Sequence, residues 1–237
     1  MAALPSYIVR ILSSLVLIPL VAGVILWGGW ALVMLLATCF LLSLYEWNGL
    51  AFKITHKIWA RGLLVLAGIL YLVVPFRDLA MLGFNGLKLG EDGRIAILYL
   101  FVLIWSSDTL AYVMGKNIGG PKMTPHISPN KTWSGYAGAL LGPALVMPLL
   151  FRVFPLEGLN SQALGLPLLC LMGAVIGMVG QSGDLLISFL KRRAGVKDTG
   201  ALIPGHGGLL DRIDALLLAV PVFYAYVLMM SEVMGEA

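Results

Sequence analysis

The sequence predicts an all-α polytopic membrane protein with about seven transmembrane helices around a polar cavity open to the cytoplasm. Hydrophobic residues make up 59% of the chain and charged residues only 12%, whereas a soluble domain carries about 25% charged residues. The mean hydropathy is +0.94. The apolar residues fall in repeated runs of roughly 18 to 25, the length that a helix needs to cross a bilayer. We expect one integral membrane domain over residues 1–237.

Seven apolar runs are the predicted spans. They cover residues 11–27, 30–50, 62–76, 95–114, 135–154, 164–190 and 214–231. Only Gly28 and Gly29 separate the first two runs, so a re-entrant hairpin is an alternative for that pair. The first run also follows Arg10 as in a signal peptide, but no small-x-small cleavage site comes after it. Two cysteines in separate apolar runs indicate neither a disulfide framework nor a cysteine-rich metal site.

The distribution of Lys and Arg predicts the orientation. With seven spans, the N-terminus and the loops at 51–61, 115–134 and 191–213 lie on one side. That side holds 12 of the 16 cations. The other four are Arg77, Lys88, Arg94 and Arg152. Because positive loops stay inside, we expect the N-terminus and the basic loops to be cytoplasmic and the C-terminus to lie outside.

Two aspartates lie within predicted spans, where a carboxylate is costly and usually functional, paired or facing a water-filled cavity. Asp184 precedes Lys191 by seven residues, which places it roughly 10 Å below the basic loop at the rise of an α-helix. Asp108 precedes Lys116 by eight residues and lies roughly 12 Å deep by the same rise. This pattern predicts acids at the floor of the cavity and cations at its rim.

The rim residues favour a phosphate ligand. Lys and Arg bind phosphate, and the glycine-rich stretch at 204–208 lets backbone N–H groups approach it closely. Mg²⁺ is typically held by one or two carboxylates together with substrate phosphates. The pattern therefore predicts a nucleoside triphosphate site, although no GxxxxGK[ST] loop is present. The alternative to a ligand site is that the acids and the bases simply form ion pairs with each other.

The stretch "SFLKRRAGVKDTGALIPGHGGLLDRID", Ser188 to Asp214, resembles the signature of the phosphatidate cytidylyltransferases. The fixed positions met here are Ser188, Lys191, Arg192, Lys197, Asp198, Gly200, Pro204, His206, Gly207, Gly208, Asp211, Arg212 and Asp214. A second stretch resembles the other polar segment of that family through Asp108, Ala111, Tyr112, Gly115, Ser128, Pro129, Lys131 and Thr132. Two positions depart from the family pattern, Ile187 and Ser134, and neither is assigned a role.

The resemblance implies that CTP and phosphatidate react to give CDP-diacylglycerol and pyrophosphate. It implies Mg²⁺ as cofactor, with Asp184 and Asp211 as metal ligands, and leaves open a second metal or a monovalent ion. The catalytic residues that we expect are Asp108, Lys131, Asp184, Lys191, Arg192, Lys197, His206, Asp211, Arg212 and Asp214. The residues expected to bind the nucleotide and its phosphates are Ser128, Lys131, Thr132, Lys191, Arg192, Gly207, Gly208 and Arg212.

Several of these residues have a second interpretation. Asp108 is otherwise a partner for a buried cation, and Asp214 either binds metal or orients Arg212. His206 is expected to order the loop or contact phosphate rather than act as a base. Outside that set, Arg193 is interpreted as a membrane anchor. Glu46 is interpreted as a packing partner.

The partners expected are CTP, phosphatidate and the bilayer, with no nucleic acid. A homodimer follows from the resemblance, and the compact length indicates a bacterial inner membrane. A cation-coupled transporter using the two intramembrane acids as a relay is the competing class, but the sequence contains no inverted repeat. Another CTP-dependent lipid enzyme, such as a polyprenol kinase, is a nearer alternative that would release CDP instead of pyrophosphate.

Overall fold

The computed structural model describes residues 6–84, 92–156, 164–202 and 207–235. Within these ranges the chain forms seven α-helices and a two-stranded sheet. The helices are α1 (Ser6–Trp27), α2 (Gly29–Ile54), α3 (Ile58–Gly83), α4 (Asp92–Asn117), α5 (Trp133–Val153), α6 (Leu166–Arg193) and α7 (Leu210–Gly235). The strands are β1 (Lys122–Thr124) and β2 (Ser128–Thr132), which pair antiparallel.

The predicted all-α polytopic membrane fold is confirmed. Six of the described helices are long and apolar enough to cross a membrane, and α1 adds a shorter apolar stretch, Ser13–Trp27. The largest difference is in the third helix, which has 26 residues and continues well past the predicted end at residue 76. It includes Asp78, whose buried carboxylate lies 3.4 Å from the guanidinium of Arg77. Hydropathy alone predicts that the helix ends before Arg77 and Asp78, but the helix continues through both residues.

Helices α4 to α7 pack closely through glycines. At Gly142 a side chain would collide with the backbone of α4 at Ser106. At Gly177 it would collide with the backbone of α5 at Ala139, and at Gly183 with that of α7 at Asp214. Small residues at these crossings let the helix backbones approach each other, which is a common way of joining helices in a bilayer. The helices that carry Asp108, Asp184 and Asp214 are thereby held in fixed positions relative to one another.

The turn between α1 and α2 is made by two glycines and a distant arginine. Gly28 and Gly29 have φ angles of 72° and 53°, a region that glycine adopts without steric cost. Arg94 Nη1 donates hydrogen bonds to the carbonyl oxygens of Leu26 at 2.7 Å and Trp27 at 2.9 Å. These carbonyls have no partner within α1, because the last turn of a helix leaves its C=O groups free. The arginine of α4 thus ends α1 and places it beside α2.

The hairpin of β1 and β2 was not expected from the sequence, because the strands are short and lack alternating apolar residues. It occupies the loop between α4 and α5. Thr132 ends the hairpin and caps α5, since its Oγ1 accepts a hydrogen bond from Gly135 N at 3.1 Å. Arg192 Nε, at the end of α6, donates to the carbonyl oxygen of Ile127 at 3.2 Å. The hairpin is therefore attached to two helices.

Helix α6 ends in a Schellman motif. Val196 N donates to Lys191 O at 3.0 Å, and Gly195 N donates to Arg192 O at 3.1 Å. Gly195 has a φ of 68°, as this motif requires. The chain leaves the helix here and runs through the α6–α7 loop, which we define as residues 194–209, to the start of α7.

Candidate functional site

The centre of the site is an ion pair between the hairpin and α6. Lys131 Nζ lies 2.7 Å from Asp184 Oδ2. The same ammonium donates to Gln181 Oε1 at 2.8 Å, and Gln181 Nε2 donates to Asp108 Oδ1 at 3.2 Å. A chain of hydrogen bonds thus connects β2, α6 and α4. The two acids that the sequence placed at the floor of one cavity are brought together through a lysine and a glutamine.

Three carboxyl groups and one ammonium lie close together in the site. The carboxylates of Asp108 and Asp214 lie near enough to Asp184 for their charges to repel one another. Lys131 pairs with Asp184 by direct contact, and Ser188 Oγ donates a hydrogen bond of 3.1 Å to Asp184 Oδ1. The Asp184 side chain stays 31% exposed. An additional cation would therefore be attracted to this group of carboxylates.

Next to these residues lies a cavity of about 530 Å³. Its lining residues come from α4, the hairpin, the start of α5 and α6. They are Asp108, Ala111, Tyr112, Gly115, Lys116, Met123, Asn130, Lys131, Thr132, Gly135, Tyr136, Gln181 and Asp184. The cavity has polar and charged groups from four elements and is large enough for part of a nucleotide. Its opening toward the cytoplasm remains a prediction.

Among the described residues, no group of three or more His, Cys, Asp or Glu side chains is arranged as a ready-made metal site. This does not conflict with the chemistry of Mg²⁺, which takes one or two protein carboxylates and completes its shell with water and substrate phosphates. Asp184 fits such a role because it is partly exposed and lines the cavity.

Asp211 has a different environment. Its Oδ1 accepts a hydrogen bond of 2.7 Å from Lys191 Nζ, and its side chain is only 4% exposed. Its Oδ2 accepts from Thr199 N at 2.8 Å and from Gly208 N at 3.0 Å. The carboxylate therefore connects the end of α6 with two points of the α6–α7 loop, Thr199 and Gly208. Oδ1 has two lone pairs and receives one described donor, so the role of Asp211 as a metal ligand stays a prediction.

Glu46 is a residue of the site that the sequence interpretation missed. It is 5% exposed, and its carboxylate accepts hydrogen bonds of 2.8 Å from Leu209 N and Leu210 N. The first N–H groups of a helix have no partner within it, so Glu46 satisfies donors at the start of α7. Thr199 Oγ1 donates to the same carboxylate at 2.8 Å. A side chain at Gly208 would overlap both Thr199 and Glu46, which explains the glycine at that position.

The sequence offered one signal for Glu46, an acid inside the second apolar run. We expected Glu46 only to pack against its neighbours, whereas its carboxylate accepts hydrogen bonds from Thr199, Leu209 and Leu210. The residue belongs to a network that we name the loop clamp, made of Glu46, Thr199, Asp211 and Lys191. It joins α2, the end of α6, the α6–α7 loop and the start of α7.

The predicted phosphate-binding cations do not converge on one point. Lys131 faces the cavity, and Lys191 is held by Asp211. Arg192 contacts the hairpin and donates to Val196 O at 3.3 Å. Lys197 is exposed on the α6–α7 loop, and Arg212 lines a second, apolar cavity. Among the contacts described for these cations, the one with an acid of the floor is made by the lysine of the hairpin.

The remaining predicted residues are distributed as follows. Ser128 lies in β2 opposite Thr124, and Thr132 caps α5. Gly207 has a φ of 85°, which explains the glycine there. His206 lies outside the described residues. Arg193 stacks over the ring of Phe189 at 5.4 Å, as fits an anchor at the membrane surface.

Comparison with known proteins agrees with the sequence resemblance. Residues 50–230 match the model of a family described as the cytidylyltransferase family. The chain is 34% identical over 215 residues to a phosphatidate cytidylyltransferase of Rickettsia felis, covering 91% of this chain and 89% of the relative. A protein of the same name from Rickettsia typhi is 33% identical over 216 residues, covering 91% and 89%. One from Brucella abortus is 39% identical over 168 residues, covering 67% and 58%.

Proposed function

Because the chain belongs to the cytidylyltransferase family, we propose that it converts CTP and phosphatidate into CDP-diacylglycerol and pyrophosphate. The relatives from Rickettsia and Brucella are named for this activity, and their similarity extends over most of the chain. The observation that carries the proposal is the Lys131–Asp184 pair, at 2.7 Å, beside a polar cavity of about 530 Å³. A site with both acids and bases suits a nucleotide bound with a metal ion, because the carboxylates can bind the metal ion and the cations can bind the phosphates.

The reaction needs little acid–base chemistry from the protein. A phosphate oxygen of phosphatidate forms a bond to the α-phosphorus of CTP, while the bond from that phosphorus to the β-phosphate oxygen breaks. Pyrophosphate leaves with the electron pair of the broken bond. Since a phosphomonoester has its second pKa near ~6, the attacking oxygen is largely ionised at neutral pH. The protein has mainly to align two anions and neutralise their charge.

We propose that Mg²⁺ is held by Asp184, whose partly exposed carboxylate faces the cavity. Asp211 is proposed as the second ligand, through the remaining lone pair of the oxygen that Lys191 contacts. Bound Mg²⁺ supplies charge neutralisation for the phosphate oxygens and the leaving pyrophosphate. The proximity of the Asp108 and Asp214 carboxyl groups to Asp184 supports a cation at this place.

Two lysines line the cavity, Lys116 and Lys131, and Lys131 is the one that contacts Asp184. Its ammonium has three donors, and two are used by Asp184 and Gln181. A donor remains for a phosphate oxygen, so Lys131 can hold the nucleotide and the metal-binding carboxylate in one arrangement. Gln181 keeps Asp108 within the same hydrogen-bonded group. These residues position the reacting phosphates without transferring protons.

The location of the protein follows as a proposal. Membrane helices and bacterial relatives support an integral protein of a bacterial membrane, and we propose the inner membrane. The distribution of Lys and Arg supports a cytoplasmic N-terminus and cytoplasmic loops around the site, on the side where CTP is found. The resemblance to the family supports a homodimer.

The test is to identify the product. Purified protein in detergent is given CTP, phosphatidate and Mg²⁺, and pyrophosphate and CDP are both measured. We expect pyrophosphate in equal amount to CDP-diacylglycerol, and turnover with CTP or dCTP but not with ATP. Release of CDP instead would indicate a lipid kinase, and equal turnover with ATP would overturn the assignment of the nucleotide.

A further inference from the structure

Thr199 lies between two buried carboxylates that come from different helices. Its Oγ1 is 2.8 Å from Glu46 Oε2, on α2, and 3.0 Å from Asp211 Oδ2, on α7. Thr199 is not among the residues that the sequence predicts for catalysis or nucleotide binding. The structure thus places a hydroxyl group beside a proposed metal ligand, at a position to which the sequence assigned no role.

The hydrogen of this hydroxyl has two acceptors within reach but can serve only one of them at a time. Asp211 Oδ2 already accepts from two backbone groups, Thr199 N at 2.8 Å and Gly208 N at 3.0 Å. A carboxylate oxygen has two lone pairs, so these two donors satisfy it. Glu46 Oε2 accepts from one backbone group, Leu210 N at 2.8 Å, and has a lone pair left. The hydroxyl therefore donates to Glu46.

The two oxygens of Asp211 have different partners as a result. Oδ2 is bound by the α6–α7 loop through the two N–H groups. Oδ1 accepts from Lys191 Nζ at 2.7 Å and keeps one lone pair. While the loop donors stay in place, they hold the carboxylate against rotation about its Cβ–Cγ bond. A cation bound by Asp211 would thus be bound through Oδ1 alone.

Glu46 holds Thr199 from the side of α2, and the loop is packed tightly around this contact. A side chain at Gly200 would overlap Glu46, and one at Gly208 would overlap both Glu46 and Thr199. The Glu46 carboxylate therefore has little room to move. A continuous path of contacts runs from α2 through the hydroxyl and the N–H of Thr199 to Asp211.

We propose that Thr199 is a positioning residue for the metal-binding carboxylate. Its hydroxyl, held by Glu46, keeps its own N–H on Asp211 Oδ2 and leaves Oδ1 for Lys191 and Mg²⁺. This role rests on the proposed function, in which Asp211 is a ligand of Mg²⁺. Groups that orient a ligating side chain typically change metal affinity about 10- to 100-fold when they are removed.

The test uses two pairs of side chains at position 199 that differ in the hydroxyl. Thr199→Val keeps the branched shape of the wild-type residue and loses the hydroxyl. Thr199→Ser keeps the hydroxyl, and Thr199→Ala differs from it by that oxygen alone. The probe is Mn²⁺ alone, as a paramagnetic substitute for Mg²⁺. Its Kd is measured in detergent from the loss of the electron paramagnetic resonance signal of free Mn²⁺.

We expect Thr199→Val to weaken Mn²⁺ binding at least ~5-fold relative to the wild type, and Thr199→Ala to weaken it by a similar factor relative to Thr199→Ser. Thr199→Ser should bind as the wild type does. If one variant without the hydroxyl fails to fold, the other pair gives the same comparison. Equal Kd values with and without the hydroxyl would overturn the proposal.

The control is Thr55→Val, which makes the same change at another partly buried threonine. Thr55 lies between α2 and α3, and its Oγ1 accepts from Lys57 N at 3.3 Å. This variant should leave the Kd for Mn²⁺ unchanged. A loss equal to that of Thr199→Val would show a general effect of removing a hydroxyl and would contradict a role specific to Thr199.

Thermal unfolding of the same preparations separates positioning from a purely structural role. If the hydroxyl only stabilises the fold, Thr199→Val and Thr199→Ala would lower the melting temperature and leave the Kd for Mn²⁺ as in the wild type. That result would also rule out the positioning role, because the metal would then be indifferent to the orientation of Asp211.

Pyrophosphate release by the wild-type protein distinguishes failure of this proposal from failure of the proposed function. Release by the wild type, together with a Kd for Mn²⁺ that does not depend on Thr199, would overturn the positioning role alone. A Kd that depends on the hydroxyl, in a protein that releases no pyrophosphate, would overturn the reaction and leave the positioning role standing. A wild-type protein that binds no Mn²⁺ would overturn the metal site and the positioning role together.

Discussion

Thr199 Oγ1 donates a hydrogen bond of 2.8 Å to Glu46 Oε2, although the two residues are 153 positions apart in the chain. Glu46 belongs to α2, and Thr199 to the loop that leads into α7. The same threonine contacts Asp211 through its Oγ1 at 3.0 Å. The position of the α6–α7 loop therefore depends on a buried acid of a helix that carries none of the predicted catalytic residues.

We expect Glu46→Gln to destabilise the protein by about 1–3 kcal/mol, the usual cost of a buried donor without a partner. An amide has one oxygen, whereas Leu209 N and Leu210 N donate to different oxygens of Glu46. One of these N–H groups would then lack an acceptor. The measurement is thermal unfolding in detergent. The control is Tyr45→Phe, since Tyr45 is 78% exposed. A melting temperature equal to the wild type for Glu46→Gln would refute the loop clamp.

Asp184→Asn should abolish nearly all activity while the protein stays folded. The change keeps the shape of the side chain and removes the charge that pairs with Lys131 and is proposed to bind Mg²⁺. Because the side chain is 31% exposed, the cost to folding should be small. The measurement is pyrophosphate release at several Mg²⁺ concentrations. A variant that keeps more than about a tenth of the wild-type rate, a loss under ~1.4 kcal/mol, would show that Asp184 is no primary ligand.

Asp211→Asn should lose stability as well as activity. Asp211 is paired with Lys191, and both side chains are buried. Removing one partner of a buried pair leaves the other charge uncompensated, which costs about 3–5 kcal/mol. Thermal unfolding and pyrophosphate release are measured on the same preparation. An unchanged melting temperature would mean that the Lys191 pair contributes nothing to the fold.

Arg192→Ala should reduce activity several-fold, whereas Arg193→Ala should change it less than about twofold. Arg192 holds the hairpin that carries Lys131, through its bond to Ile127 O. Arg193 instead lies over the ring of Phe189. The two substitutions remove the same charge at adjacent positions, so each serves as the control for the other. Equal losses would indicate that the basic loop acts through net charge and not through the hairpin.

The orientation can be tested with two reporters. A reporter inserted at His56, between α2 and α3, should be cytoplasmic, and one fused after Ala237 should lie outside. Seven spans put these two points on opposite sides of the membrane. The excess of Lys and Arg in the loops predicts which of the two sides is cytoplasmic. Alkaline phosphatase and green fluorescent protein fusions report the two compartments. Both reporters on the same side would overturn the seven-span topology.

The sequence by itself determined the membrane class and the seven helices. A bilayer offers no partners for backbone polar groups, so long apolar runs have to become helices, whatever their neighbours are. It also located Asp108 and Asp184, since an acid inside an apolar run stands out in the sequence. The hairpin left no comparable signal, because its short strands lack apolar alternation and depend on Arg192 and Thr132 for their place.

Only the tertiary structure decided which groups meet. Lys131 pairs with Asp184, and Glu46 binds the backbone before α7, across 50 or more residues of sequence. Whether two such groups come within hydrogen-bonding distance depends on the spacing of the helices. That spacing is set by the glycines of α5 and α6, which let the helix backbones approach closely. A motif names the residue types that phosphate chemistry requires. Which carboxylate stays open to the cavity and which is buried in the loop follows from helix packing, because packing sets the burial and the nearest donor of each side chain.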